Sequence, residues 1–272
     1  NKNPSEIEDM IAASGKKTVV IDEIQRIPEL LNEVHRLIEK QKITFLLTGS
    51  SARSLRQKGV NLLAGRAWEM RFFSLTSVEI EKFDLKRYLQ VGGLPAVWLS
   101  NRPEEELFNY VNTYLREEIQ AESLVRKIPA FSRFLNVAAI TSGQMINFSS
   151  IASDTAIPVS TVTEYYKILE DTFVGFIVPA WQKSVKRKAI ATAKFYIFDI
   201  GVRNSLAGIK TIDPQSNIFG ISFEHFIALE IRAYMNYNKI RESLCYWRSK
   251  HGAEVDFIIG NEIAVEVKST KQ

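Results

Sequence analysis

The sequence predicts an α/β protein with a parallel sheet near its N-terminus, a helical middle part and an α/β domain at its C-terminus. Two apolar runs near the N-terminus flank an amphipathic helical stretch. The middle of the chain has mainly the 3.6-residue periodicity of helices, and its last residues alternate as strands do. These three observations together indicate the α/β class.

Length and composition allow more than one domain and restrict the chemistry. The 272 residues are 46% apolar, so the chain is long enough for two domains with proper cores. Its net charge of +4 is compatible with a nucleic-acid partner but does not establish one. The single Cys245 excludes a disulfide framework and is typical of a reducing cytoplasm. Because no apolar run is long enough to cross a bilayer, we expect a cytoplasmic protein with no membrane partner.

A βαβ unit is predicted near the N-terminus. The β-branched run Thr18–Ile21 reads as a buried strand and ends in two carboxylates, Asp22 and Glu23. Pro28 then starts a helix, at the position where proline is best tolerated, and residues 43–47 form the next strand. Strands joined in this way are parallel, and if they are adjacent their carboxyl ends lie side by side.

This arrangement brings the two acids next to a turn that contains Thr48 and Ser50. Carboxylates can hold hydrated Mg²⁺, and hydroxyl groups can reach a phosphate oxygen or an attacking water. In the alternative interpretation, Asp22 and Glu23 cap the following helix and the Thr-Gly-Ser segment only makes a turn. The residues alone leave both interpretations open.

Residues 17–76 resemble the second half of a prokaryotic AAA+ ATPase domain. The resemblance rests on Val-Val-Ile-Asp-Glu-Ile-Gln, Pro-Glu-Leu-Leu, Phe-Leu-Leu-Thr-Gly-Ser-Ser-Ala-Arg and Leu-Leu-Ala-Gly-Arg-Ala, in this order. It implies that the first stretch is the Walker B strand, with Asp22 as a metal ligand, and that Thr48 and Ser50 end the sensor strand. It also makes Arg66 a candidate arginine finger or phosphate sensor. A surface arginine that supports a loop is the alternative for Arg66.

The P-loop of such a domain is absent from this sequence. A G-x-x-x-x-G-K-[ST] motif should precede Walker B, and nothing in residues 1–17 matches it. We expect it to lie upstream in a longer protein, so ATP is expected as a cofactor of the full-length protein only. The alternative is a nucleotide site that has lost its function.

Residues 129–188 read as a helix-turn-helix module, after a helical connector at residues 81–128. The predicted helices cover residues 131–139, 150–156 and 162–171, with Thr161 and Glu164 as a capping box for the third. Residues 173–178 are the expected strand of a wing. A basic stretch follows beside Trp181 and can track DNA phosphates; it consists of Lys183, Lys186, Arg187, Lys188 and Lys194. A module that only packs between domains is the alternative, and the acids of the third helix favour it.

The C-terminal part, residues 189–272, ends in a predicted β-hairpin. Period-two alternation puts Glu266 and Lys268 on one face of its last strand. A two-residue turn would pair Asp256 with Val265, whereas a three-residue turn pairs Asp256 with Glu266. A site that contains both carboxylates therefore requires the three-residue turn.

Asp256, Glu266 and Lys268, preceded by a helix with Glu224, resemble the site of the PD-(D/E)XK nuclease superfamily. The resemblance implies that Asp256 and Glu266 bind Mg²⁺ and that Lys268 orients or activates the water that attacks a phosphodiester. Glu224 would be the carboxylate that the helix contributes. One alternative is an exposed sheet face with alternating charges. The other is a nuclease fold that has lost its activity and serves as a binding module.

As a whole, residues 17–270 resemble prokaryotic AAA+ ATPases fused to a helix-turn-helix-like module and a C-terminal domain with the PD-(D/E)XK fold. The resemblance implies a partial AAA+ domain at residues 1–80 and a nuclease-like domain at residues 189–272. It also implies ATP-dependent action on DNA and a homo-oligomer formed through the AAA+ part. The alternative function is a nucleotide-controlled DNA-binding or regulatory protein with an inactive nuclease fold.

Overall fold

The chain forms two compact units, each of which combines helices with strands. The computed structural model describes residues 6–49, 67–114, 128–181, 193–249 and 251–269. The first unit is Asn1–Glu69 with Asp171–Phe173, and the second is Met70–Glu170 with Val174–Gln272. The predicted α/β class is confirmed. None of the helices in the described ranges has both the length and the apolar character needed to cross a membrane.

The first unit is the predicted βαβ unit with one helix before it. Its elements are α1 (Glu6–Ser14), β1 (Thr18–Ile21), a 3-10 turn (Ile24–Arg26), α2 (Leu30–Gln41) and β2 (Thr44–Leu47). β1 and β2 pair in parallel, with Ile21 opposite Leu47, so the prediction of adjacent parallel strands is confirmed. The helix expected to start at Pro28 starts at Leu30, because Pro28 belongs to the turn that leads into it and accepts from the Leu31 N–H.

The N-terminal part of the second unit is helical. Its elements are a 3-10 turn (Ser77–Glu79), α3 (Leu85–Val91), α4 (Pro95–Leu99), α5 (Pro103–Asn109), a π-helical turn (Tyr110–Tyr114), α6 (Ile128–Ile140), α7 (Phe148–Thr155) and α8 (Val159–Asp171). The last three are the helices expected in the helix-turn-helix module. They pack around one apolar cluster that includes Phe134, Leu135 and Leu169.

The capping box predicted for the third of these helices is wrong. α8 starts at Val159, so Thr161 lies inside its first turn and not in front of it. The helix begins directly after Pro158, whose carbonyl accepts a hydrogen bond from the Val162 N–H at 3.0 Å. Proline fixes a backbone angle close to the helical value, and this allows the earlier start.

The remaining elements build two antiparallel sheets and two helices. They are β3 (Gly175–Val178), β4 (Lys194–Ile197), α9 (Ile200–Ala207), α10 (Asn217–Tyr237), β5 (Leu244–Arg248), β6 (Glu254–Ile259) and β7 (Ile263–Val265). β3 pairs with β4, and β5, β6 and β7 form an antiparallel sheet. Tyr246 of β5 joins the two by donating its N–H to the Pro179 carbonyl at 3.0 Å and accepting from the Trp181 N–H at 2.6 Å.

The strand expected to form a wing is β3, which is largely buried and pairs with β4. Phe176 of β3 and Tyr196 of β4 pack in one apolar cluster with Phe226 of α10 and Phe257 of β6. The domain boundary expected between residues 188 and 189 falls between β3 and β4, two strands that pair with each other.

A buried aspartate connects two glycine-containing turns of the second unit. Asp199 caps α9 by accepting from the Val202 N–H at 3.1 Å, and its other carboxylate oxygen accepts from the Gly93 N–H at 2.9 Å. A Cβ atom on Gly201 would lie 2.0 Å from the Val91 carbonyl oxygen, so this approach requires glycine. Burial raises the pKa of Asp199 above its ordinary value, while these N–H donors lower it.

Candidate functional site

The ends of β1 and β2 bring three of the predicted nucleotide-site residues together. Thr48 donates its hydroxyl to the Asp22 carboxylate and accepts from the Glu23 N–H at 3.3 Å. The Thr48 backbone continues the strand pairing, because its N–H bonds to the Ile21 carbonyl and its carbonyl accepts from Ile24, both at 3.0 Å. Ser50 and Arg66, the other two predicted residues, lie outside the described ranges.

The geometry argues against a capping role for these acids. Glu23 precedes the 3-10 turn at Ile24–Arg26, but its side chain makes no capping hydrogen bond there. Its backbone is left-handed, with a φ of 53°, a conformation that costs a non-glycine residue about 1–2 kcal/mol. Strain of this kind is concentrated at functional sites.

The C-terminal hairpin has the register that the predicted site requires. Phe257 pairs with Val265 and Ile259 with Ile263, which leaves Gly260, Asn261 and Glu262 as a three-residue loop. Gly260 has a φ of 60°, and glycine adopts this left-handed conformation easily. Continued by one residue, the same register places Asp256 directly opposite Glu266.

Asp256, Glu266 and Lys268 share the polar face of this hairpin. Asp256 Oδ2 accepts the Val267 N–H at 2.7 Å, and the Lys268 ammonium donates to Glu266 Oε1 at 2.5 Å. On the other face, Phe257 is fully buried and Val265 and Val267 pack against the same core. β7 ends at Val265, before Glu266 and Lys268, which were predicted to lie on it. Beyond its end, the Val267 N–H bonds to the Asp256 side chain.

Electrostatics keeps Lys268 positively charged. Its hydrogen bond to Glu266, together with the charges of Glu266 and Asp256, raises the pKa of Lys268 above its ordinary value. The side chain is largely exposed, at 71% of its maximal surface. This lysine therefore stays an ammonium donor at neutral pH and cannot take up a proton.

Glu224, the carboxylate predicted from the preceding helix, is held by Lys194 and Tyr196. Lys194 Nζ lies 3.0 Å from Glu224 Oε1 and 2.7 Å from Glu254 Oε1. The Tyr196 hydroxyl donates to the same Glu224 oxygen at 2.7 Å. Burial raises the pKa of Tyr196 well above its ordinary value, and Glu224, Asp256 and Glu254 raise it further. Asp256 therefore belongs to the same electrostatic environment as the Glu224 cluster.

The expectation that Lys194 tracks DNA phosphates is wrong. Only 4% of this residue is exposed, and its ammonium group is bound to two carboxylates. The other basic residues of that predicted stretch, Lys183, Lys186, Arg187 and Lys188, lie outside the described residues.

Sequence reasoning missed Lys194, Tyr196 and Glu254 as members of this cluster, and the sequence held only part of the signal, which grouped them by strand face. Lys194 and Tyr196 alternate on β4, and Glu254 and Asp256 alternate on β6. The same period-two rule that joined Glu266 to Lys268 places each of these pairs on one strand face.

The two facing carboxylates of the hairpin fit Mg²⁺, whereas Glu224 does not. Mg²⁺ is commonly bound by one or two carboxylates, with waters and substrate phosphates as further ligands, and Asp256 and Glu266 each keep an oxygen for it. The Glu224 oxygen that faces the cluster already accepts from an ammonium and a hydroxyl group. Within the described ranges, no group of three or more His, Cys, Asp or Glu side chains is arranged to hold a metal ion.

Three family models match consecutive parts of the chain. Residues 1–81 match an AAA domain, residues 82–213 a domain of unknown function (DUF8612), and residues 219–272 another domain of unknown function (DUF4143). These matches support a fusion of an AAA-type ATPase-like part with DUF4143. The first part is similar to an ATPase domain. AAA domains in general use a nucleotide and Mg²⁺.

The curated relatives are uncharacterised proteins. Those of Mycobacterium bovis and Mycobacterium tuberculosis are each 27% identical over 274 residues, which is 96% of this chain and 61% of theirs. One of Haemophilus influenzae is 24% identical over 236 residues, or 79% of this chain and 59% of its own. The chain thus spans about six-tenths of the length of these relatives. No solved structure matches it.

Proposed function

We propose that the full-length protein is an AAA-type ATPase that acts on DNA and cuts it with a Mg²⁺-dependent site in its C-terminal domain. The observation that supports this proposal is the register of the hairpin, with Phe257 paired to Val265. Continued by one residue, this register would put Asp256 opposite Glu266, with Lys268 two residues further on. A register shifted by one residue would separate the two carboxylates onto opposite faces.

Each residue of the hairpin has a role that follows from its contacts. The Val267 N–H fixes Asp256 by binding one carboxylate oxygen, so the other oxygen is available as a ligand. Glu266 lies opposite and is oriented by Lys268. Lys268, whose ammonium group lies beside Glu266, orients the attacking water or stabilises negative charge on a phosphate. Bound Mg²⁺ would supply Lewis-acid activation of the phosphodiester and of the water.

The nucleotide part of the proposal rests on the end of β1. Asp22 and Thr48 offer a carboxylate and a hydroxyl group at adjacent strand ends, and these are the oxygen donors that a magnesium nucleotide site uses. The match of residues 1–81 to an AAA domain supports the same assignment. Glu23 follows Asp22 and would position the attacking water.

Nicking of supercoiled plasmid by the full-length protein tests the nuclease part. We expect nicking with Mg²⁺ or Mn²⁺, and a loss of at least about 100-fold on Asp256→Ala or Lys268→Ala, since each removes a group that stabilises the transition state. Lys86→Ala removes an exposed lysine of α3 and is the matched control, with nicking unchanged. Full activity of Asp256→Ala would contradict the proposal.

A DNA-binding or regulatory protein without nuclease activity is the second candidate. This candidate is favoured because Lys194 and Tyr196 both donate hydrogen bonds to Glu224 Oε1. This oxygen is therefore not available as a further ligand beside Asp256 and Glu266. This candidate predicts DNA binding that weakens with salt, and no nicking with either metal ion. The plasmid experiment and a binding titration at two salt concentrations separate the two functions.

A further inference from the structure

We propose that Lys194 is an internal cation that occupies the place of a divalent metal ion between Glu224 and Glu254, and so confines divalent-ion binding to Asp256 and Glu266. The part that concerns Asp256 and Glu266 rests on the proposed function. The part that concerns Lys194 does not, because it depends only on the contacts of β4, β5, β6 and α10.

The ammonium group of Lys194 is enclosed by acceptors. Its Nζ atom lies 3.0 Å from Glu224 Oε1, 2.7 Å from Glu254 Oε1 and 5.2 Å from the centre of the Tyr246 ring. The side chain keeps 5% of its surface, and the two glutamates keep 23% and 28% of theirs. A cation is thus bound by two carboxylates and an aromatic face at a place that water barely reaches.

The charges of the cluster require a cation at this place. Burial by itself would lower the pKa of Lys194, but Glu224 and Glu254 outweigh burial and raise it above the ordinary value. Two half-buried carboxylates that share no cation would repel each other and lose hydration. Arg248 approaches only the outer oxygen of Glu254, at 3.7 Å.

A metal ion and Lys194 exclude each other. A Mg²⁺ ion between the two Oε1 atoms would lie about 2.1 Å from each and would overlap with the ammonium group that already binds both. Two positive groups at that separation also repel each other strongly in a poorly hydrated site. Glu224 therefore acts through its Oε1 atom as a positioning residue that anchors Lys194 and Tyr196, and this atom does not bind a metal ion.

Removal of the ammonium group should turn this place into a metal site. Lys194→Met keeps much of the aliphatic volume and leaves two carboxylates and the Tyr196 hydroxyl facing one another. These are hard oxygen donors, which is the set that divalent ions of this size prefer. The variant should therefore gain one divalent ion relative to the unmodified protein.

Calorimetric titration of the nucleotide-free, full-length protein with Mn²⁺ tests this inference. We expect Lys194→Met to bind one Mn²⁺ per chain more than the unmodified protein. Lys194→Arg, which keeps the cation, should gain none, and neither should Lys194→Met combined with Glu224→Gln and Glu254→Gln. The inference would be overturned if Lys194→Met bound no more Mn²⁺ ions per chain than the unmodified protein. It would also be overturned if the Glu224→Gln variant alone bound fewer Mn²⁺ ions than the unmodified protein.

The same titration separates this inference from the proposed function. Asp256→Ala should remove one Mn²⁺ from the unmodified protein if the hairpin pair binds metal. If it removes none, the proposed nuclease site fails, while the gain caused by Lys194→Met still decides the role of Lys194.

A folding defect of Lys194→Met would not prevent the test. If the variant is unfolded in metal-free buffer, Mn²⁺ should restore its circular dichroism and its cooperative unfolding, because binding to the native state stabilises it. The variant that also carries Glu224→Gln and Glu254→Gln should show no restoration by Mn²⁺. A Lys194→Met chain that Mn²⁺ does not restore would overturn the inference.

Discussion

The two polar clusters of this protein differ in how far the residues around them are buried. Asp22 and Thr48 lie at the end of a two-stranded sheet in which Val20 is 63% and Leu46 57% exposed. Lys194 lies on β4, in which every residue is buried, and its partner Glu224 lies on α10. The Lys194 cluster therefore has its partners among the described residues, whereas Asp22 and Thr48 lie at a strand end beside an exposed sheet face.

The open face corrects the prediction of a buried strand at Thr18–Ile21. α1 and α2 pack on the face of β1 and β2 that carries Val19 and Phe45. Val20 and Leu46 point to the opposite face, which stays open in the part of this unit that the structure describes. A parallel sheet is normally covered on both faces, and the apolar run of β1 has the composition typical of such burial.

The largest expected effect is that of Lys194→Met on the buried cluster. We expect the free energy of unfolding in metal-free buffer to fall by about 3–5 kcal/mol, because removal of one partner leaves buried carboxylates without their cation. Asp22→Asn, which removes one charge at the end of β1, should lower the free energy of unfolding by far less. Urea denaturation of both variants checks this, and equal losses would contradict the distinction between the clusters.

A pH-dependent loss of stability should come from His225 of α10. Burial, with the nearby Arg203 charge, lowers the pKa of His225 to about 3, against about 6.5 for an unfolded histidine. The unfolded chain therefore binds the extra proton first, and stability falls as the pH decreases from about 6.5 towards 3, by about 1.4 kcal/mol per pH unit.

Denaturation between pH 7 and pH 4.5 checks this expectation. His225→Phe should flatten the pH dependence of the free energy of unfolding, although it loses the hydrogen bond to the Ile197 carbonyl. His251→Gln, which changes an exposed histidine, is the control and should leave the slope as it is. An unaltered slope in His225→Phe would show that other groups cause the dependence.

Gly201→Ala should destabilise the second unit by about 1–3 kcal/mol, because its methyl group would collide with the backbone at Val91. Gly220→Ala is the matched control within α10. Its methyl group meets only the Ser269 hydroxyl, at 3.3 Å, and alanine is the better helix former. Thermal unfolding should therefore show opposite signs for the two changes. A stable Gly201→Ala variant would mean that the two turns do not need this close approach.

The smallest expected effect on stability is that of Glu23→Gly. Glycine adopts the left-handed conformation of residue 23 without strain, so we expect a gain of up to about 1 kcal/mol, together with the loss of ATP hydrolysis by the full-length protein. Lys42→Gly relieves the strain of the same left-handed conformation at the end of α2 and should leave ATP hydrolysis unchanged. A Glu23→Gly variant that still hydrolyses ATP would remove Glu23 from the nucleotide site.

Local rules predicted those parts of the fold that depend on neighbouring residues. Strand alternation predicted that a three-residue loop would put Asp256 opposite Glu266, but it left the loop length open, and the structure has the three-residue loop. A strand-helix-strand pattern placed Asp22 beside Thr48. The start of α8 was missed because Pro158 overrides the capping signal of Thr161.

The partners of Glu224 could not be predicted in this way. Lys194 follows a run of basic residues, and only the pairing of β4 with β3, together with the packing of α10, shows that its side chain turns inward. Contacts between residues far apart in sequence, such as that of Lys194 with Glu254, depend on this tertiary arrangement.

An anomalous difference map from crystals of the full-length, nucleotide-free protein soaked in Mn²⁺ tests both metal assignments at once. In the C-terminal domain, we expect one peak, between the carboxylates of Asp256 and Glu266, with the Lys194 ammonium still bound to Glu224 and Glu254. A peak coordinated by Glu224, or a C-terminal domain without a peak at Asp256 and Glu266, would contradict these assignments.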